Sequence, residues 1–253
     1  MTTAPSPVMT GSFGSRVPGA RQVTAAYSRP SGATWSRKDG GGIMLLFTRM
    51  SVLAGAPGEL MPAVLAVTER VNAVVDNEIS LWAGGIGFPV GAFAWSGRVE
   101  SHAQVAENNA KLLGDAEYAE LVGALGQFRT GESTDSLRQL IHGDPPAETP
   151  PVGTIVLSSV AQVSAGNIMS AMTWGVEMTQ LVSKITGNPT SFYRDLYGSF
   201  GSVVWLAGLA DAAALDAAHA ALGADPAYVE KLDQGAGLFR PGSGSQGFAT
   251  RVA

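Results

Sequence analysis

Along this chain, short apolar runs with a period of two alternate with longer stretches in which apolar residues recur every three or four positions. The order of these patterns is given twice. Residues 43–47 are all apolar and read as a strand. Leu60, Val64, Val67, Val71, Val74 and Val75 then form one helical stripe, with Pro62 suited to a first turn and Asp76-Asn77 closing the helix. Segments 79–83 and 90–95 read as the strands of a hairpin around a glycine-rich turn at 84–87, with Pro89 delaying the second strand or confining it to an edge. Ser101 caps a second helix over about 102–125, bent near Gly114-Asp115, and 137–142 supplies a last strand. The second half repeats the order: strand 154–160, helix 168–185, hairpin strands 191–197 and 202–206, helix 212–232, strand 247–252.

A shift of 110 positions places Trp95 on Trp205, Leu112 on Leu222, Asp115 on Asp225, Tyr118 on Tyr228 and Glu120 on Glu230. A repeat of that length is a small domain and not a solenoid unit, so the chain reads as an internal duplication. The expected organisation is an arm at 1–42, a repeat at 43–143, a Pro-rich linker at 144–152 and a second repeat at 153–253. The order βαββαβ with right-handed crossovers predicts an α+β fold of two tandem ferredoxin-like domains, each a four-stranded antiparallel sheet with helices on one face. The strands are apolar on both faces, as in 43–47 and 203–206, so the face without helices needs a cover. The natural cover is the other repeat's sheet, within the chain or across a dimer.

This order, with the segments 91–95 and 202–205 and the pair 114–118 and 224–228, resembles the dimeric α/β-barrel superfamily, in which two ferredoxin-like units pack sheet against sheet. The resemblance covers about residues 43–253. It implies a homo-oligomer or fused pair and a range of activities: cofactor-free monooxygenases, haem-handling enzymes, lactone isomerases and members without chemistry. The monooxygenases pair a Trp with an Asn in their cavity. Trp95 and Trp205 match the Trp, but no Asn falls in a first strand.

Charge separates the arm from the body. Arg16, Arg21, Arg29, Arg37 and Lys38 against Asp39 give residues 1–42 a charge of +4, leaving −9 of the total −5 for the rest. An acidic body repels a phosphate backbone, so nucleic acid is not an expected partner of the body. The arm is rich in Gly, Ser and Pro, and Phe13, Tyr27 and Trp35 are spaced among its arginines. That composition suits a flexible tether, with Phe13, Arg16, Arg21, Tyr27, Arg29, Trp35 and Arg37 docking on an acidic neighbouring subunit. There is no Cys, no signal-peptide core and no apolar run long enough to span a bilayer, which predicts a soluble, cytoplasmic protein.

Of three histidines, His102 sits at a helix start, His142 in a strand and His219 on a polar helix face, with no metal-ligand spacing among them. No metal or cofactor is expected, and haem would have only His102 or His142 as a ligand. The aromatics concentrate in the hairpins: Trp82, Phe93, Trp95, Phe192, Tyr193, Tyr197, Phe200 and Trp205. Placed on the inner faces of the sheets, they would line an apolar cavity, with Arg49, Tyr197 and His142 as polar handles beside Trp82, Trp95 and Trp205. The expected function is binding of a small hydrophobic ligand in the barrel, with oxygenase- or isomerase-like chemistry. The alternative is a non-enzymatic assembly subunit held by its basic arm.

Overall fold

In the computed structural model, which describes residues 44–144 and 148–253, β1 (Leu45–Val52), α1 (Pro57–Val74), β2 (Ile79–Gly84) and β3 (Ala92–Val99) lead into α2 (His102–Leu113), α3 (Ala116–Leu125) and β4 (Thr134–His142). The second half follows as β5 (Ile155–Gln162), α4 (Ile168–Thr186), β6 (Thr190–Asp195), β7 (Ser202–Leu209), α5 (Ala212–Ala224), α6 (Pro226–Gln234) and β8 (Ser245–Arg251). The arm and its proposed anchors, and part of the Pro-rich segment, lie outside the described residues.

The eight strands close into one antiparallel barrel in the order β1-β3-β2-β8-β5-β7-β6-β4. The two halves are therefore joined along their edges by hydrogen bonds, so the α/β barrel expected from two sheets packed face to face closes within the chain. β2 meets β8 through Trp82↔Arg251, Ala83↔Thr250 and Gly84↔Ala249, and β4 meets β6 through Arg138↔Asp195, Gln139↔Arg194 and Leu140↔Tyr193. Closure leaves no bare strand edge among the described residues to template aggregation. It also explains why both strand faces are apolar in part: one faces the helices and the other faces the interior.

The helices pack outside the barrel. α1 starts a turn before Pro62, with Pro57 in its first turn, where a missing N–H costs nothing. Its stripe of Leu60, Val64 and Val67 is buried against Leu81, Phe93 and Trp95. Val64 and Leu81 are wholly inaccessible, and such a side chain contributes about 1.5–3 kcal/mol by burial. The predicted bend near Gly114 is a break between two helices. Asp115 caps α3, accepting from Tyr118 N at 2.7 Å. Gly91, with φ 83°, has no room for a side chain, because a Cβ there would lie 2.0 Å from the Leu53 carbonyl oxygen.

Asp115 also binds α1: Arg70 donates from Nε to its Oδ1 at 2.9 Å and from Nη2 to its Oδ2 at 2.5 Å. The bond from Arg70, followed by that from the Tyr118 amide, holds the carboxyl below its ordinary value of 3.8. A depressed folded-state value stabilises the fold above pH 3.8, and that contribution is lost as pH falls through the folded value. Asp115→Asn is thus expected to lower the unfolding midpoint at pH 7, with the gap to the parent protein shrinking below about pH 4. A gap constant from pH 7 to pH 2 would show that the charge is not involved.

Candidate functional site

On the helix-facing side of the first half, three side chains stand in a row across neighbouring strands. Arg49 of β1 pairs with Trp95 of β3 on one side and with Asp135 of β4 on the other. Arg49 donates from Nε to Asp135 Oδ1 at 2.8 Å and from Nη2 to Oδ2 at 2.7 Å, a two-pronged contact that fixes the guanidinium plane. The hydrogen bond to Asp135 holds the Arg49 pKa above its ordinary value. Partial burial opposes this, while the charge of Asp135 and the phenol of Tyr118 add to it. The cation also lies 5.9 Å from the centroid of the Phe47 ring. Trp95 is buried, and its Nε1–H donates to Thr68 Oγ1 on α1 at 2.9 Å, while that hydroxyl donates to the Val64 carbonyl at 2.9 Å. The chain of donors fixes the indole ring.

Between this row and α1, α2 and α3 lies a cavity of about 420 Å³. Its walls are apolar where the helices supply them, at Val67, Val71, Leu112 and Val122. Its polar groups include Asn77 after α1, Asn108 and Asn109 on α2, Tyr118 on α3 and Arg129 after the 3-10 turn that follows α3. Asn108 Nδ2 donates to Asn77 Oδ1 at 2.6 Å, which aims the Asn77 amide. The buried Nδ2 of Asn77 has no hydrogen-bond partner among the described residues. An unmet buried donor costs about 1–3 kcal/mol, a local expense the fold carries at this turn.

The second half fills the matching space. Trp205 pairs with Ser159 and Phe192 where Trp95 pairs with Arg49 and Leu81. Phe192 stacks on Trp205 with centroids 4.8 Å apart, and Trp174 and Phe239 meet its edges and faces at 5.9 Å. The bridge Val163↔Phe239 mirrors Leu53↔Arg129, so an aromatic ring stands where the first half has a cation. Gln246 donates to Ser159 Oγ at 2.9 Å in place of the Arg49–Asp135 pair. Thr179 donates to the Gly175 carbonyl as Thr68 does to Val64. That correspondence, like Phe192 on Leu81, runs one residue beyond the 110 shift, so the sequence match is not free of gaps.

A second cavity, of about 690 Å³, is the barrel interior. Strand alternation splits the predicted site between the two spaces. Trp82, Tyr193 and Tyr197 line the interior, while Trp95 and Arg49 line the helix-side cavity. Phe93, Phe192 and Trp205 belong to the clusters under the helices, so the aromatics do not form one lining as expected. The reason is parity: Phe93 and Trp95 share a face with Leu81, and that face is covered by α1. Phe200 is 84% exposed on the second hairpin. His142 pairs with Phe192 near a strand irregularity, and no histidine lines either cavity, so neither offers an imidazole to haem iron. His102 meets Tyr197 edge to face with centroids 5.8 Å apart, and His219 is exposed. Among the described residues, no group of three or more His, Cys, Asp or Glu is placed to hold a metal ion, and no helix is long and apolar enough to cross a membrane.

The sequence reading missed Asn77, Asn108, Tyr118, Arg129 and Asp135. Asp135 was findable only through strand pairing, and Asn77 was taken as a helix stop. Arg129 carries a signal in retrospect, since an Arg and a Phe at equivalent places mark where the halves differ.

The sequence matches no protein-family model and no curated protein. Solved structures do resemble it. A candidate monooxygenase from Fusobacterium nucleatum subsp. nucleatum superposes with a TM-score of 0.65 at 7% identity, covering 84% of this chain and 94% of its own. An anthrone oxidase-like protein gives 0.59 at 12% identity, covering 83% and 92%. A candidate monooxygenase from Lactobacillus acidophilus NCFM gives 0.57 at 9% identity, covering 83% and 94%. The chain has the fold of the dimeric α/β-barrel superfamily.

Proposed function

We propose that this protein binds a flat, mainly apolar molecule bearing an ionisable oxygen in the helix-side cavity of its first half, and oxygenates it without a cofactor. One observation carries the reading. The same helix-sheet space that is filled by Trp174, Phe192 and Phe239 in the second half is open in the first, and is edged there by Arg49, Arg129 and Asn77. We read the halves as copies of one ferredoxin-like βαββαβ unit, its second helix split in two, of which the first keeps the site and the second serves as scaffold. A volume of about 420 Å³ falls within the range of small-molecule sites. Trp95 and Phe47 offer ring faces, and Arg49 and Arg129 favour an oxyanion over its neutral form. The Asn that no first strand supplies comes here from the end of α1 and from α2.

The resemblance to an anthrone oxidase-like protein suggests the chemistry. A tricyclic ketone with an acidic ring methylene loses a proton to give an enolate, whose oxygen lies against the arginines. The enolate carbon takes up O₂ in a two-electron step to become a carbon-bound hydroperoxide, and loss of the second methylene proton with cleavage of the O–O bond completes a four-electron oxidation. One oxygen atom stays on the ring carbon as a new carbonyl, and the other leaves as water with both methylene hydrogens, so the substrate is its own reductant.

Titration calorimetry with 1,8-dihydroxyanthrone is expected to show one site per chain of roughly micromolar affinity, about −8 kcal/mol. Val71→Phe, which fills the cavity, is expected to abolish it. Oxygen uptake matched to quinone formation tests the chemistry separately: binding without uptake leaves a binding protein, and no binding overturns the site.

A further inference from the structure

The barrel interior is built from side chains too small to fill it. Eight strands enclose a space that side chains can just pack or that can hold one small ligand. Here about 690 Å³ stands open. Gly208 on β7 borders that space, and a Cβ added there would meet nothing within 4 Å. The wall of the first half is polar: Ser136, Thr48, Ser96 and Ser80 stand side by side across β4, β1, β3 and β2 as an unbroken row of hydroxyls. The matching row of the second half, across β8, β5, β7 and β6, reads Gly247, Ser158, Leu206 and Ser191.

A core that served packing alone would present Val, Ile and Leu at these positions, because a buried hydroxyl without a partner costs free energy. The middle of the first row is satisfied within the wall. The hydroxyls of Thr48 and Ser96 lie 2.8 Å apart, Ser96 Oγ donates to the Phe47 carbonyl at 3.2 Å, and Ser136 Oγ donates to that of Thr48 at 3.5 Å. The far end of each row is not. Ser80 and Ser191 border the cavity, are only 6% and 5% exposed, and have no side-chain hydrogen-bond partner among the described residues. β2 and β6 are four places apart in the ring of eight strands, so these two hydroxyls stand on opposite walls.

The charges that border the space are already matched. Arg138 donates from Nε to Asp195 Oδ1 at 3.0 Å, and Ser202 Oγ donates to Asp195 Oδ2 at 2.5 Å. Glu78 and Asp135 pair with Arg251 and Arg49, and Arg98 too has its partner. A charged ligand would lose its hydration and find no free counter-ion. The apolar lining includes Met50, Val156, Val160 and Leu206, and a barrel is round in section. Such a space is filled better by a thick saturated ring than by a flat one.

From these observations we propose that the barrel interior is a second ligand site, separate from the helix-side cavity, for an uncharged alicyclic molecule with a hydroxyl at each end. One hydroxyl meets Ser80 and the other Ser191, while the saturated body lies against Met50, Val160 and Leu206.

The test is calorimetry on the full chain with p-menthane-1,8-diol, with menthol as the single-hydroxyl control and cyclohexane-1,4-dicarboxylate as the charged one. The diol is expected to bind at one site, menthol roughly tenfold more weakly and the dicarboxylate not measurably. Ser80→Ala and Ser191→Ala are each expected to weaken the diol roughly tenfold. Gly208→Val fills the barrel at a strand position that favours valine. It is expected to abolish diol binding, with the unfolding midpoint no lower than the parent's and 1,8-dihydroxyanthrone binding unchanged. Intermolecular NOEs in the unaltered protein give a readout free of any effect on folding: the diol's methyls are expected to contact the Met50 methyl and not those of Val71. Absence of diol binding, dicarboxylate binding as tight as the diol's, diol binding that survives Gly208→Val, or contacts to Val71 in place of Met50 would each overturn the proposal.

Discussion

Phe192→Ala is expected to destabilise the protein by about 3–5 kcal/mol and to lower its unfolding midpoint by roughly 10 °C. The ring is wholly inaccessible to solvent, stacks on Trp205 and touches α4 where Gly175 leaves it room. A Cβ at position 175 would sit 2.4 Å from Phe192 Cζ, so ring and glycine fit as a pair. Removing the ring opens a void under α4 that rigid neighbours cannot close, and Trp205 loses its stacking partner. Because the proposed ligand cavity lies in the other half, affinity for 1,8-dihydroxyanthrone well below the new midpoint should match that of the parent protein. Chemical denaturation measures the first effect and calorimetry the second. A loss under about 1 kcal/mol would mean that the second half repacks freely, against its description as scaffold.

Arg49→Gln is expected to do the reverse, with folding nearly intact and ligand affinity down roughly 30-fold, about 2 kcal/mol. The Arg49–Asp135 pair is 37% and 48% exposed, so its net worth to stability is at most about 1 kcal/mol. To a bound oxyanion the cation is worth more, because a charge-assisted hydrogen bond is lost. The change also leaves Asp135 without its counter-ion beside the ligand, adding repulsion. Arg49→Gln with Asp135→Asn should therefore recover part of the affinity. If Arg49→Gln binds as tightly as the parent protein, the oxyanion does not sit at Arg49.

The order of elements is legible in the sequence because helix stripes such as Leu60, Val64 and Val67 and runs such as 43–47 differ in period. Pro89 rightly delayed β3, and Asp115 rightly marked a helix boundary. Closure of the barrel by edge pairing is not legible. Apolar residues on both strand faces say that each face is covered, and a stacked sheet and a closed ring satisfy that equally. The site was hidden for a different reason. Attention to residues shared by the halves selects Trp95 and Trp205, whose common role is packing under a helix. The groups that set the first half apart are Arg49 against Ser159, Asp135 against Gln246 and Arg129 against Phe239. The first and third of these pairs lie on the 110 shift itself and show as differences only once the site is known, while the second falls one residue beyond it.

A ring of strands also has a history that an open sheet does not. The contacts that seal it, β2 with β8 and β4 with β6, join residues far apart in sequence, and long loops must be ordered before any of them forms. While the chain is being made, the first half emerges with the edges of β2 and β4 bare and must wait for the second half to cover both. Those edges fit the second half of any copy as well as their own, so at high local concentration exchange of halves between neighbouring nascent chains competes with closure. Sparing the finished molecule any open edge concentrates that hazard in the seconds of synthesis.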